Sequence, residues 1–347
     1  MADMQIWRIQ TPAKLNLHLE ILARREDGYH ELETVMVPVS LFDQMTLRFA
    51  DYRAASARSE FKIDVACDWK ASRVSPHQAL EAARRQHPEL AGNATGTLDR
   101  FLDLPQGEKN LVHTAIQQLL SRYADAGRLV PHRVECEIQK SIPSGAGMGG
   151  GSSNAAGALL ASAAACDVPL SDPQIHSIAA AIGSDVNFFL GIGGRRIRAA
   201  LATGRGEQLK RIRYGGKNWF VVIYPPDALS TGRVFAGSSV SERQRDANQI
   251  CHWLGKSQRM QHQRDVPLHN QLESAAISLS PWIQEISNWM WHSGLLAVQL
   301  TGSGSACFGV ARSFRQARSS AMQLSEKSLG RVFLVHSTRT PRPIRIV

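Results

Sequence analysis

A glycine-rich segment at residues 143–156, PSGAGMGGGSSNAA, constrains the fold more than any other part of the sequence. A strand-like alternation at residues 133–138 precedes it, and an alanine-rich, helix-like stretch at residues 154–166 follows it. A strand, a glycine loop and a helix together form an anion site, because free backbone N–H groups and the positive end of the helix dipole point at the ligand. Glycine suits such a loop, since it adopts positive φ and lets an oxygen approach the backbone. The segment therefore predicts phosphate binding.

Three other interpretations of this segment are weaker. A Walker A loop requires a lysine directly after the glycines, and none is present. The pattern Gly145-x-Gly147-x-x-Gly150 satisfies the dinucleotide fingerprint. However, residues 140–143 separate it from the strand, and Asp167 leads into helix-like sequence rather than ending the next strand. A flexible linker would rarely run straight into a helix start, so we favour a phosphate site over an NAD site or a linker.

Composition narrows the class of protein. The 347 residues suffice for one large or two moderate domains, and a hydrophobic content of 43% supports a real core. The formal charge of +10 favours anionic partners, but lysines and arginines are scattered along the sequence apart from short pairs such as Arg195-Arg196, so a nucleic-acid-binding stripe is not indicated. The five cysteines show no C-x-x-C pair, the N-terminus has no signal-peptide core, and no apolar run reaches membrane-spanning length. We expect a cytoplasmic protein with no membrane partner.

The first half of the chain contains an alternating strand and a hairpin turn. Residues 14–22, KLNLHLEIL, alternate strictly, so Lys14 and Asn16 project from the same face of a strand. From this stretch alone, a solvated polar face is the favoured interpretation. The turn RREDGYH at residues 24–30 then places Tyr29 and His30 where the strand resumes. Residues 51–108 are the least regular part, and we interpret them as an insertion.

Two further positions attract attention in the middle of the chain. Asn110 is expected to cap a helix whose apolar residues follow at helical spacing. Asp185 lies between a helix-ending Gly183 and the apolar run at residues 186–190, where a carboxylate is costly to bury without a partner. A helix cap and a catalytic role explain Asp185 equally well at this point. Towards the C-terminus, strands and helices at residues 295–336 suggest a split α+β sandwich of the ferredoxin type.

Three segments together resemble the motifs of the GHMP kinases, a family of small-molecule kinases. They are PAKLNL at residues 12–17, the glycine-rich segment at residues 143–156, and LTGSGSA at residues 300–306. The resemblance implies an α+β, two-lobed GHMP kinase fold, with an N-terminal ribosomal-protein-like α/β lobe and a C-terminal ferredoxin-like α/β sandwich. We expect an ATP-binding kinase domain at residues 1–203, including the insertion, and a C-terminal domain at residues 204–347.

The resemblance also implies catalytic and ATP-binding roles. Asp185 matches the general base toward the substrate hydroxyl, and Lys14 matches the partner that steadies developing negative charge. Asn110 is expected near the adenine, and Ser152 or Ser153, with Ser152 favoured, near a Mg²⁺ ion that arrives with ATP. The residues expected to bind ATP are Asn110, Pro143, Gly145, Gly147, Met148, Gly149, Gly150, Gly151, Ser152 and Ser153.

Within the family, RREDGYHELETVM at residues 24–36 resembles the kinases that phosphorylate the 2-hydroxyl of 4-diphosphocytidyl-2-C-methylerythritol. His30 would then hydrogen-bond the cytosine edge, while Tyr29 and Phe235 would stack on the ring. The residues expected to bind substrate are Asn16, Tyr29, His30, Thr231, Phe235, Gly302 and Ser303. The chain departs from the family pattern at Asn187, where proline is usual. A kinase for another small alcohol, and an inactive nucleic-acid-binding relative, are the alternatives.

Overall fold

The larger of two sheets is built on two long strands, β1 (Gln5–Arg24) and β2 (His30–Ala54). The computed structural model describes residues 4–54, 60–71, 75–91, 104–240, 245–256 and 266–346. β1 and β2 pair antiparallel along almost their whole length, with three register irregularities in β1. The turn between them is the hairpin predicted from the sequence.

The remaining elements alternate irregularly along the chain. The strands are β3 (Lys62–Trp69), β4 (Leu129–Lys140), β5 (Ala200–Thr203), β6 (Gln208–Arg211), β7 (Trp219–Tyr224), β8 (His269–Asn270), β9 (Ala297–Leu300), β10 (Cys307–Ala311), β11 (Arg331–His336) and β12 (Ile344–Arg345). The helices are α1 (Pro76–Gln86), α2 (Pro88–Ala91), α3 (Leu111–Asp125), α4 (Gly150–Ala165), α5 (Pro173–Ile182), α6 (Val186–Leu190), α7 (Thr231–Ala236), α8 (Asn248–Gly255), α9 (Glu273–Leu279), α10 (Pro281–His292) and α11 (Phe314–Glu326).

The larger sheet has the order β12-β1-β2-β4-β3, with β5 and β6 extending from β2 and β8 lying parallel to β1. Helices α3, α4, α5 and α6 share one hydrophobic core with this sheet. The small residues of α4 allow close packing on β1, since a Cβ on Gly157 would lie 2.6 Å from Thr11 Cγ2. The start of α4, where the glycine-rich segment ends, is thereby held against β1.

Both faces of β1 are buried between Thr11 and Ile21. The apolar face, including Leu15 and Leu17, packs in a core shared with the smaller sheet. The polar face is covered as well, and Lys14 is only 4% exposed. The solvated face that the sequence favoured is therefore wrong, because segments distant in sequence cover it.

The smaller sheet has the antiparallel order β11-β7-β10-β9. Its fourth strand thus lies beside the first, followed by the third and the second. Helices α10 and α11 pack against it in a further hydrophobic core. This is the ferredoxin-type sandwich predicted from the sequence.

The predicted insertion at residues 51–108 is only partly described, because residues 55–59, 72–74 and 92–103 lie outside the described ranges. Within it, β3 pairs parallel with β4 and so belongs to the larger sheet. β6, β8 and β12 also join that sheet, although they follow residue 204. The domain boundary between residues 203 and 204 stays a prediction. Among the described helices, none combines the length and apolarity needed to cross a bilayer.

Candidate active site

Lys14 lies in β1, and its ammonium group reaches two side chains. Its Nζ donates to Asn16 Oδ1 at 2.5 Å and lies 3.4 Å from Asp185 Oδ2. The side chain of Lys14 is 5% exposed, whereas that of Asp185 is 32% exposed. A nearly buried cation therefore stands behind a carboxylate that a ligand can reach.

A tight turn between α5 and α6 places Asp185. The Val186 N–H donates to Gly183 O at 3.1 Å across this turn. Asp185 occupies the N-cap position of α6, but its side chain accepts no hydrogen bond from the helix. The carboxylate is thus paired with Lys14 rather than used as a helix cap.

The glycine-rich segment runs from β4 into α4 and contacts β1 on the way. The Lys14 backbone N–H donates to Met148 O at 2.9 Å. Gly149 has a positive φ of 69°, and a Cβ on it would lie 3.2 Å from Lys14 Cγ. Gly149 is also the N-cap of α4 and offers no side chain to its first N–H groups. No N-cap side chain therefore satisfies those N–H groups, an arrangement that suits an anionic ligand.

The turn between β9 and β10 meets the glycine-rich segment directly. A Cβ on Gly147 would lie 2.1 Å from Thr301 O, and one on Gly302 would lie 3.3 Å from Lys14 Nζ. The Asn16 backbone N–H donates to Thr301 Oγ1 at 3.1 Å. The three segments that carry the family resemblance thus converge on Lys14.

The two serines at the start of α4 differ in their surroundings. Ser153 is fully buried, and its hydroxyl donates to Pro12 O at 2.7 Å. Ser152 is partly exposed. Ser153 therefore ties α4 to β1, whereas Ser152 remains accessible. Of the other residues in the segment that are expected to bind ATP, Pro143, Met148 and Gly150 are buried, Gly147 and Gly149 are partly exposed, and Gly145 and Gly151 are exposed.

Asn110 caps α3, as the sequence predicted. Its Oδ1 accepts from the Val112 N–H at 3.0 Å, and its Nδ2 donates to Pro105 O at 2.8 Å. Contact between Asn110 and adenine stays a prediction. The neighbouring Leu111 is 40% exposed and lies 3.7 Å from the Cβ position of Gly151. This exposed leucine, which the sequence gave no reason to select, offers apolar surface beside the start of α4.

Four of the residues expected on the substrate side form two contacts, and one of these contacts reaches the β9–β10 turn. The rings of His30 and Phe235 are stacked, with centroids 5.1 Å apart and planes inclined by 28°. In the same helix as Phe235, Thr231 Oγ1 lies 3.0 Å from Ser303 Oγ. The hydrogen bond between Thr231 and Ser303 connects α7 to the turn that also contacts Lys14.

Tyr29 differs from the other residues expected to bind substrate. It is 55% exposed, and the guanidinium of Arg205 lies 5.0 Å from its ring centroid. A sandwich of cytosine between Tyr29 and Phe235 stays a prediction. Arg205 was not selected from the sequence, because its proximity to Tyr29 depends on the approach of the segment between β5 and β6.

A buried ion pair lies where β4 ends and the glycine-rich segment begins. Lys140 Nζ pairs with Asp43 Oδ2, and both side chains are nearly inaccessible. Asp43 Oδ1 also accepts from the Ser141 and Ile142 N–H groups at 2.7 and 2.9 Å. The carboxylate thereby fixes the chain where β4 passes into the loop. Nothing in the sequence around Asp43 indicated this role, since it is one polar residue in an ordinary alternating strand.

Two stretches of the sequence match two domains of one protein family. Residues 110–192 match the N-terminal domain of the GHMP kinases, and residues 243–327 match their C-terminal domain. A Rhodopirellula baltica protein named 4-diphosphocytidyl-2-C-methyl-D-erythritol kinase is 35% identical over 333 residues, covering 93% of this chain and 92% of that relative. A Syntrophus aciditrophicus protein of the same name is 30% identical and covers 95% and 99%. The chain belongs to the GHMP kinases.

Solved structures agree with this membership. A crystal structure of 4-(cytidine 5′-diphospho)-2C-methyl-D-erythritol kinase superposes with a TM-score of 0.69 at 28% identity, covering 95% of this GHMP kinase and 99% of that chain. A homoserine kinase from Cytophaga hutchinsonii superposes with a TM-score of 0.63 at 15% identity, covering 98% and 97%, which shows the fold alone. The two-lobed α+β fold expected from the sequence is confirmed.

As a GHMP kinase, the protein uses ATP. The described residues hold no group of three or more His, Cys, Asp or Glu side chains placed for a metal ion. Oxygen donors are present in the carboxylate of Asp185, 3.4 Å from the Lys14 ammonium, and in the partly exposed hydroxyl of Ser152 at the start of α4. Carboxylate and hydroxyl oxygens suit Mg²⁺, which is usually bound through few protein groups and the phosphates of a nucleotide.

Proposed function

We propose that this GHMP kinase transfers the γ-phosphoryl group of ATP to the 2-hydroxyl of 4-diphosphocytidyl-2-C-methyl-D-erythritol, a step in isoprenoid precursor synthesis. Relatives named 4-diphosphocytidyl-2-C-methyl-D-erythritol kinase align with nearly the whole chain. The observation that carries the chemistry is the pairing of Asp185 with the buried Lys14 at 3.4 Å, where the glycine-rich segment and the β9–β10 turn meet.

Asp185 acts as the general base. Its carboxylate is open on one side and accepts the proton of the substrate hydroxyl as that oxygen attacks phosphorus. A positioned base contributes about 10²–10⁴-fold to the rate. Lys14 keeps the carboxylate in place and offsets negative charge that develops during transfer. Since the transition state is loose, positioning and charge neutralisation account for most of the catalysis.

The glycine-rich segment binds the ATP phosphates. The uncapped N–H groups at the start of α4 donate to phosphate oxygens, and the helix dipole adds a positive potential. Ser152 and the phosphates would hold Mg²⁺, which would neutralise charge on the transferred group. Ser153, whose hydroxyl is committed to Pro12 O, positions the helix instead.

The cytidylyl group binds beside His30 and Phe235. The stacked pair offers one aromatic face and one imidazole that can hydrogen-bond the base edge. Base–aromatic stacking is worth about 1–3 kcal/mol per base. That contribution favours a cytidylyl substrate over small alcohols such as mevalonate or homoserine, which lack a base.

An ADP-release assay with the three alcohols tests the proposal. We expect turnover with the cytidylyl substrate and loss of turnover in Asp185→Ala, with the circular dichroism spectrum of the wild type retained. Asp125→Asn, which changes an exposed aspartate at the end of α3, is the control and should match wild type. Preferred turnover of mevalonate or homoserine would refute the substrate assignment, and substantial activity of Asp185→Ala would refute the base.

A further inference from the structure

Five arginines converge on a cavity that contains no residue of the candidate active site. The cavity has a volume of about 590 Å³ and is lined by Arg196, Arg198, Arg211, Arg213 and Arg339, together with Ile212 and Tyr214. These residues come from three separate parts of the chain: the segment before β5, the segment around β6, and the segment after β11. Arginines that are scattered in the sequence are therefore concentrated in space.

A second cavity of about 440 Å³ adjoins the first and adds Arg195 and Arg342. The two cavities share Arg196, Arg211 and Arg339, so they form one continuous surface. The second cavity also has apolar walls from Leu160 in α4, Leu170 after α4 and Leu190 at the end of α6. The combination of cations with an apolar wall is typical of sites for small organic anions.

No carboxylate compensates these cations among the residues that line the two cavities within the described part of the chain. None of the seven arginines forms an ion pair with another described residue. Burial lowers the pKa of Arg196, and the neighbouring Arg339, Arg342 and Arg198 lower it further. Because arginine side chains remain charged in proteins, the native fold holds these like charges close together despite their repulsion.

One of the cations is already fixed in position. Arg196 Nε donates to Thr340 O at 2.5 Å, and the Ile197 N–H donates to Thr340 Oγ1 at 3.1 Å. These bonds attach the segment before β5 to the segment after β11. Arg196 and Arg339 therefore face the same cavity from two segments that are bonded to each other.

We propose that these adjoining cavities bind a small metabolite that carries two or more linked phosphate groups. Guanidinium forks match phosphate oxygens in bidentate pairs, and several linked phosphates supply the multiple charges that seven arginines require. The volume of the first cavity lies within the range of about 300–1,000 Å³ that small ligands occupy. The site is separate from the one described above, because Lys14, Asp185, the glycine-rich segment and the β9–β10 turn line neither cavity.

Calorimetric titration with inorganic tripolyphosphate tests this site. The full chain is first saturated with a non-hydrolysable ATP analogue, which blocks the kinase site. We expect the probe to bind with one equivalent per chain, and the double variant Arg196→Gln/Arg339→Gln to bind it at least about tenfold more weakly, since two bidentate pairs are lost. Arg315→Gln/Arg318→Gln removes the same charge from exposed positions in α11 and should bind within about twofold of wild type.

The same variants separate this proposal from the kinase proposal. Both double variants should retain wild-type ADP release in the absence of tripolyphosphate, because neither changes a residue of the kinase site. If the glutamine variant fails to fold, Arg196→Lys/Arg339→Lys keeps the charge, loses the forks, and should bind the probe several-fold more weakly. Equal affinity of the wild type and of the Arg196/Arg339 variants for tripolyphosphate would overturn the site. Tighter binding of a single-stranded RNA or of phosphatidylglycerol vesicles at these arginines would also overturn it, in favour of an extended polyanion.

Discussion

The contact between Gly147 and Thr301 provides a sharp test of the proposed site. Gly147 has a φ of 71°, and a Cβ added there would lie 2.1 Å from Thr301 O. Gly147→Ala therefore carries two penalties. One is the left-handed backbone conformation, and the other is the collision with a backbone oxygen of the β9–β10 turn.

The two penalties differ in size and in consequence. The backbone conformation costs an L-residue about 1–2 kcal/mol. Moving Thr301 O from 2.1 Å to more than 3.0 Å away requires a displacement of about 0.9 Å. The displaced turn contacts Lys14 and Asn16, so the shift reaches the proposed catalytic group. A misplacement of about 1 Å can lower an enzymatic rate by about 100-fold.

Gly127→Ala is the matched control. Gly127 has a φ of 74°, and its Cβ position has no neighbour within 4 Å. We expect the left-handed backbone conformation to lower the unfolding free energy in urea by about 1–2 kcal/mol in each variant, and the collision with Thr301 O to lower it further in Gly147→Ala alone. We expect kcat/KM in the ADP-release assay to fall about 100-fold in Gly147→Ala and to stay at the wild-type value in Gly127→Ala. Values of kcat/KM within about threefold of each other would refute the reasoning.

Three further changes test other parts of the structure. Asp43→Ala leaves the ammonium of Lys140 buried without its partner and should lower the unfolding free energy in urea by about 3–5 kcal/mol; an effect below about 1 kcal/mol would contradict a supporting role. Burial lowers the pKa of His18 to about 4 from its usual 6.5. The imidazole is therefore harder to protonate in the folded protein than in the unfolded chain. As pH falls from about 6.5 to 4, the unfolding free energy of the wild type should fall by up to about 3 kcal/mol more than that of His18→Leu. A difference in unfolding free energy between the two proteins that does not change with pH would contradict this. Phe235→Ala should raise KM for the cytidylyl substrate about 5- to 150-fold and leave KM for ATP unchanged; an unchanged substrate KM would remove the stacking contact.

Much of the site could be predicted because its chemistry is encoded locally. The glycine-rich segment, the alternation around Lys14 and the turn before His30 are short patterns, and each implies a backbone conformation without reference to the rest of the chain. Their order along the sequence carried the family resemblance. The predicted cap at Asn110 and the predicted ferredoxin-type sandwich at the C-terminal end are confirmed.

Several features required the fold. The sequence left the two interpretations of Asp185 equal, and only the approach of β1 to the α5–α6 turn pairs its carboxylate with Lys14. Ser152 and Ser153 are adjacent and chemically identical, yet the position of α4 on β1 buries one hydroxyl and leaves the other accessible. The ion pair of Asp43 with Lys140 left no trace in the sequence.

By itself, the sequence determined the local conformations and the residue types that are expected to contact a phosphate. The tertiary structure decided which polar side chains are buried, which charges are paired, and where scattered arginines gather into one surface. The physical reason is that burial and electrostatic pairing depend on distances between segments far apart in the chain. Those distances are set by the packing of the whole fold, and no local pattern records them.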